Sequence, residues 1–527
     1  MAQRQHGGAG LTNIPLTLPS FKGLNKEQET GILGPEWATV LRNAVFDSNN
    51  RIAVRQGWTK ITSTPAAAVD FVKLHELVKR DGTVQLFATS ATAIYRSTDS
   101  GSTWTAVTGT ASFTDGNWQF VNFNDKVIGV QSGKTPIVYT TAAGSFAPIV
   151  AASGTAPTGS SVVAHSGRLW ITDSTGAAVS YCGLLDETDW GSADAGSFDF
   201  TSVWKDNDRV VAQAWHNGAW IIFGTRNILF YTDGAGSKRG LDPTNAYVAD
   251  TLGGVGCVTP ETVVNVKGDL WFLSNEGLQS IGRLINERSN PINNLTKNVL
   301  SKLQAEIAAM VDVNAIRAGF DYLNHRFVLS FPTGETTTAG DAGTCYILDT
   351  RQPMEDGTYR IADWTQFVPS CMVVLDGGQV LYGRAFNQGE VGDLDARLDD
   401  AEPIPFDYES AWMDLQSATM IKIPKKLQGT FYASGDSTVV FKWAFDFETD
   451  FYTHAVSMSV PSVQAEFNIA EFNIAEFSSA GAVALRRRNA QGRGTGQFIK
   501  IGLETTANDT TLAVQQLDIY AKIGRMA

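Results

Sequence analysis

The sequence predicts an all-β protein built from repeated hairpins, and three observations predict it. Glycine accounts for 50 of 527 residues and aromatic side chains for 10%, a composition suited to many short strands joined by tight turns. Apolar residues gather in short runs bounded by turn residues, and one stretch alone keeps a sustained helical spacing. A single local pattern (apolar strand, small polar turn, second strand) returns along most of the chain.

Taken in order, the pattern opens at Val84 (VQLFATSATAIYRST), Lys126 (KVIGVQSGKTPIVYT), Arg168 (RLWITDSTGAAVSYC), Ala219 (AWIIFGTRNILFYT), Asp269 (DLWFLSNEGLQSIG), Arg326 (RFVLSFP with CYILDT) and Gln379 (QVLYGRAF). The start-to-start spacings are 42, 42, 51, 50, 57 and 53 residues. That period matches the blades of a β-propeller and is too long for the strand spacing of a sandwich. The expected fold is therefore a β-propeller-like repeat core of six or seven hairpin units. The sequences FNDKV, HSGRL, HNGAW, VKGDL and LDGGQ precede individual hairpins. They supply the residues that accept positive φ in two-residue turns.

Ser97, Asp99, Gly101, Thr103 and Trp104 fit S-x-D-x-G-x-T-W, which resembles the Asp box of sialidase-like propellers. Such a box is structural: the Asp folds onto turn N–H groups, Gly takes a left-handed conformation, and Trp packs between strands. It occurs once. The helical stretch places Leu295, Val299, Leu303, Ile307 and Met310 on one face, over about residues 292–311, with Asn294 as its N-cap. The duplicated run FNIAEFNIAEF (Phe467 to Phe477) reads as an edge strand or a bulged loop. Segment 1–60 is expected to dock on a core at 61–400. The acidic stretch 389–405 reads as a solvated linker, and a second β domain fills 401–527.

Charge and cysteine usage narrow the function. With a net charge of −13 the chain gains nothing overall from nucleic-acid phosphates. Arg486, Arg487, Arg488 and Arg493 form the one basic stretch, read as a glycine-rich loop that touches a neighbouring subunit or DNA. Cys182, Cys257, Cys345 and Cys371 lack metal spacing and are expected as free thiols of a protein assembled in a reducing cytoplasm. No apolar run approaches the ~18 residues of a membrane span, and no secretory signal is recognisable at the N-terminus.

Catalytic readings fail on the residues. Gly133–Thr135 (GKT) lacks the earlier glycine of a phosphate loop. Six histidines include no HExxH, and no GxSxG elbow occurs. His165 and His216 sit at hairpin turns as packed or solvated rings. The acids Glu390, Asp393, Asp395, Asp399, Asp400 and Glu402 are interrupted by Arg397 and do not form a Ca²⁺ loop. No catalytic, cofactor or metal residues are assigned, and the protein is not expected to be an enzyme.

An ordered set of motifs carries a resemblance. Gly23, Leu24, Pro35, Ala38, Asn43, Arg51, Arg55 and Gly57 lie in a glycine–leucine step, a helical P-x-W-A-x-x-x-x-N segment and N-R-I-A-V-R-Q-G. HSGRLWI at 165–171, DETDW at 186–190 and DLWFLSNEGL at 269–278 follow. Lys422 to Lys426, after a Trp-Met-Asp-Leu strand, and a terminal YAKIGR complete it. Together they resemble the tail nozzle, tail hub or packaged-DNA stabilisation proteins of short-tailed phages. The resemblance implies a homohexameric ring in the virion tail, docked on the portal–adaptor connector and contacting tail fibres or tail-tip proteins. Double-stranded DNA would pass through it without sequence-specific binding. The competing readings are a sialidase-like propeller glycosidase and a receptor-binding propeller.

Overall fold

The computed structural model describes residues 12–18, 21–63, 69–204, 207–234, 241–287, 294–335, 341–384, 389–415, 418–434, 437–459 and 484–526. The run Phe467 to Phe477 lies outside them. The protein is all-β with a small helical insertion. The chain divides into two compact units: Met1–Trp58 with Arg360–Trp364 and Asp395–Ala527, and Thr59–Tyr359 with Thr365–Leu394.

The second unit is propeller-like, with seven sets of antiparallel strands, six of them separate sheets of three or four strands and the other one end of a ten-stranded sheet. Blade 1 is Lys73–Val78, Val84–Thr89, Ile94–Ser97 and Thr105–Ala106. Blade 2 is Gln119–Phe123, Lys126–Val130, Ile137–Tyr139 and Phe146–Pro148. Blade 3 is Gly159–His165, Arg168–Asp173, Ala178–Tyr181 and Gly196–Asp199. Blade 4 is Val210–His216, Ala219–Gly224, Asn227–Thr232 and Tyr247–Gly253. Blade 5 has three strands, Val264–Val266, Asp269–Ser274 and Gly277–Ser280, followed by helices α1 (Ile281–Glu287) and α2 (Leu300–Ala309). Blade 6 is Arg317–Asp321, Arg326–Glu335 and Asp341–Asp349. Blade 7 is Pro369–Val374, Val380–Arg384 and Val391–Ala396. Its fourth strand is Gly57–Lys60, whose last two residues open the unit.

The first strands pack side by side, that of blade 4 against the 3₁₀ turn Pro260–Thr262 that leads into blade 5, and that of blade 7 packs on that of blade 1. Six of the runs read from sequence hold the second and third strands of blades 1 to 6, and the run from Gln379 holds only the second strand of blade 7. The turns before them behave as their residues dictate. Asn124–Asp125, Ser166–Gly167, Asn217–Gly218 and Lys267–Gly268 all have positive φ. Each closes a two-residue hairpin, as in His165 opposite Arg168. Cores form between blades: Leu77 and Phe87 of blade 1 pack with Trp118 and with Val127 and Phe146 of blade 2. Trp170 of blade 3 packs with Trp220 and Tyr231 of blade 4.

The first unit holds two sheets. One is ordered Ala484–Gln491, Met420–Ala433, Leu512–Met526, Ile52–Val54 and Ala44–Phe46, with Thr12–Leu18 also on Leu512–Met526. The other contains Trp37–Arg42, Ile404–Ser410, Ile499–Ala507, Thr438–Phe445 and Tyr452–Ser457 in that order. Phe431 of the first sheet meets Phe441 of the second edge-on, with centroids 5.8 Å apart.

Several sequence expectations need correction. Trp37–Arg42, inside the segment read as helical, is a strand; the neighbouring strand Ile404–Ser410 outweighs its weak local preference. Segment 1–60 reaches into the C-terminal sheets through its strands. Helix α2 begins at Leu300, and Asn294 does not cap it. The Asn294 carboxamide oxygen instead accepts from Thr296 N–H at 3.0 Å in a turn. Leu295, Val299 and Leu303 are buried as the spacing predicts. Stretch 389–405 is not a solvated linker, because it contains strand Val391–Ala396 and a buried Asp399.

Candidate functional site

Three clusters gather the residues that sequence reasoning singled out, together with partners that it missed. The first is the Asp box on blade 1. Asp99 accepts from Thr103 N–H at 2.9 Å and from the Thr103 hydroxyl at 2.6 Å. The Ser97 hydroxyl donates to Asp99 at 2.7 Å and accepts from Gly101 N–H at 2.9 Å. The Thr103 hydroxyl, with help from Thr103 N–H and Ser97, holds the Asp99 carboxyl down at about 2. Gly101 has φ +93, and Trp104 packs edge-on against Phe71 at 5.0 Å.

The turn does more than close a hairpin. Thr62, just after the strand that completes blade 7, donates to the Gly101 carbonyl at 2.9 Å and accepts from Val391 N–H at 2.9 Å. Ile61 N–H donates to the Val391 carbonyl at 2.9 Å, and Lys60 pairs with Glu390 at 2.9 Å. The box is thus one side of the seam where the ring of blades closes. Nothing near Thr62 in sequence marks it, since its partners lie 39 and 329 residues away.

The second cluster links different blades. Lys73 of blade 1 forms an ion pair with Glu261, in the 3₁₀ turn (Pro260–Thr262) before blade 5. Gln119 of blade 2 donates to the same carboxylate at 3.4 Å. Burial pushes the Glu261 carboxyl up, but Lys73 and then Arg317 outweigh it and hold it below the usual range. Arg317 of blade 6 spends its guanidinium on the Val72 carbonyl and Asn117. These groups are tied to one another. The His75 ring lies tilted against Phe120 at 5.7 Å, donates from Nε2 to Asn122 Oδ1 at 2.8 Å, and is pushed by burial down to about 4.

The third cluster holds the resemblance residues of the first unit. Asn43, at φ +51, donates from Nδ2 to the Pro405 carbonyl at 2.7 Å and accepts from Arg55 Nε at 3.1 Å. Arg55 grips Asp399 with both guanidinium nitrogens, one at 2.8 Å, and Trp58 N–H donates to the same carboxylate at 3.0 Å. A side chain on Gly57 would place its β-carbon 2.1 Å from the Leu398 carbonyl oxygen. DETDW in the second unit is equally constrained: Asp186 holds Thr188, Glu187 pairs with Lys126, and Trp190 Nε1 donates to the Glu187 carbonyl at 2.9 Å.

The arginine stretch is not a loop. Arg486, Arg487 and Arg488 lie on the edge strand Ala484–Gln491 and so alternate in direction. Arg486 is buried, and Arg488 donates to the carbonyls of Ser457 and Ser459 at 3.0 Å each. Arg487 and Arg493 are exposed. The four do not converge on one point. Gly133–Thr135 is a turn between blade 2 strands, and His165 stacks on Trp215 at 3.7 Å. None of the four cysteines is in a disulfide, and all are buried. Among the described residues no group of His, Cys, Asp and Glu could hold a metal, and no helix is long and apolar enough to cross a membrane.

No protein family and no curated protein matches the chain. Among solved structures it is similar to the extracellular domain of what is described as a one component system, BT4673 from B. thetaiotaomicron. The identity is 10% and the TM-score 0.40, with 79% of this chain and 58% of that chain covered. So loose a likeness carries no functional argument.

Proposed function

We propose that this chain is a non-enzymatic structural subunit of a short-tailed phage tail, a nozzle or hub protein at the end of the DNA exit path. The observation that carries the reading is the fate of the motif residues. Asn43, Arg55, Gly57, Asp186, Glu187 and Trp190 are all engaged in fixing turns and seams. A set of motifs that positions backbone, with no convergent acid–base or nucleophile pair among the described residues it holds, suits a protein whose function is its shape. In this reading copies associate as a ring, six by the resemblance, on the portal–adaptor connector.

The experiment is electron microscopy of the purified protein, alone and mixed with portal or with portal–adaptor complex. Closed rings with an axial hole on the adaptor complex, and none on portal alone, are the expected result. Equal binding to bare portal, or no ring in any mixture, would overturn it.

A further inference from the structure

We propose that two surfaces of the first unit are the halves of one contact between copies of this chain: an acidic apolar knob on one copy and a basic apolar strip on the next. The proposal rests on the ring reading for the premise that copies associate. Its residues come from exposure, charge and backbone geometry.

The knob is Ile32 and Phe447, which are 79% and 53% exposed. A β-carbon on Gly31 would sit 3.6 Å from the Phe447 ring, so the ring lies against the backbone that leads directly into Ile32. Phe447 leans on Trp412 and Phe498, each centroid 5.1 Å away. Its backbone is left-handed, with φ +66 after Asp446 at +49, a conformation costly for an aromatic residue. The Asp446 carboxylate enforces it by accepting from Gln497 N–H at 2.6 Å and Phe498 N–H at 2.8 Å. Strain is thus maintained to hold an aromatic ring in water, the pattern of a preorganised contact. Glu27, Glu29, Glu448 and Asp450 are exposed in the same two segments, against one base, Lys26.

The strip lies at the end of the other sheet. Leu485 on the edge strand is 60% exposed and pairs across to Tyr432, 38% exposed. The Arg51 guanidinium, paired with Asp47 at 2.5 Å, sits 4.5 Å over the Tyr432 ring, so the net positive charge of the strip rests on Arg487, Lys425 and Arg493. Arg487 is two residues from Leu485 on the same strand, and Lys425 and Arg493 are exposed where Gly492 N–H donates to the Lys425 carbonyl. Knob cannot meet knob, nor strip meet strip, without like charges facing. The contact is therefore head-to-tail, the type that closes a ring when its rotation allows.

The test is sedimentation of the full chain up to about 100 μM, where even weak contacts register. The variants are Glu448→Lys with Asp450→Lys, and Arg487→Glu with Arg493→Glu. Each alone is expected to weaken self-association about tenfold or more. An equimolar mixture of the two should restore it, because every knob then finds an opposite strip. Ile32→Ser, which alters a side chain almost wholly in water, should weaken association while leaving the melting temperature unchanged. Association indifferent to the reversals, or no association of the wild type, overturns the proposal. Rings on the adaptor complex built equally well by the reversed variants would overturn it while leaving the tail reading intact.

Discussion

At the residue scale, the Arg55–Asp399 pair shows how much a buried charge depends on its partner. Arg55 is 2% exposed and Asp399 5%, and Asp399 also accepts the Trp58 N–H. Asp399→Ala should cost about 3–5 kcal/mol, because it leaves a guanidinium buried without its counter-charge. Arg487→Ala, on an exposed side chain, should change stability by no more than about 0.5 kcal/mol. Urea titrations of the two variants would check both. If Asp399→Ala cost no more than Arg487→Ala, the pair would not anchor the fold. Asp99→Ala should cost about 0.5–1.5 kcal/mol, the net worth of a hydrogen bond in a turn that water can reach. Its pH dependence has a defined sign. The folded value of about 2 lies below the usual 3.8. The contribution is therefore fully present above the unfolded value and is lost as pH falls through about 2. Cleavage of a fluorogenic sialoside by wild type but not by Asp99→Ala would show the structural reading of the box to be wrong.

At the element scale, the sequence was informative wherever the determinant is local. Hairpins appeared as apolar runs flanking Asn-Asp, Ser-Gly, Asn-Gly and Lys-Gly, since positive φ is a property of those few residues. The Asp box was legible for the same reason. Non-local determinants left no trace. Stretch 389–405 looked like a linker because its acids were counted without partners, and Arg55 is 344 residues from Asp399. The arginine run looked like a loop because its glycines, Gly492 and Gly494, lie just beyond the strand. Blade 7 is the strongest case, as one of its strands comes from the other end of the unit. Thr62→Val should therefore loosen the seam selectively. Hydrogen exchange should speed up at Ile61, Thr62 and Val391 while the cores of blades 3 and 4 keep their protection. Uniform acceleration in every blade would refute a local seam.

At the scale of the whole molecule, the acidic balance bears on how a DNA conduit would work. A wall that lets duplex slide must not grip it, since each phosphate neutralised adds salt-dependent affinity. The chain carries a net charge of −13. Its one arginine-rich strand is divided between a buried Arg486, an Arg488 bonded to its own chain, and the exposed Arg487 and Arg493. Lys73, Gln119 and Glu261, which come from different blades, are spent on one another. In the ring reading a path for DNA would lie between copies, walled by neutral or acidic surface with isolated basic rings. Retention of packaged DNA would fall to a steric constriction that opens by conformational change. The expected outcome is weak binding of linear duplex to the isolated protein in an anisotropy titration at about 50 mM salt. Submicromolar affinity that collapses on adding salt would contradict this. Loss of that affinity in Arg487→Ala with Arg493→Ala would then identify the edge strand as a DNA grip rather than a contact between subunits.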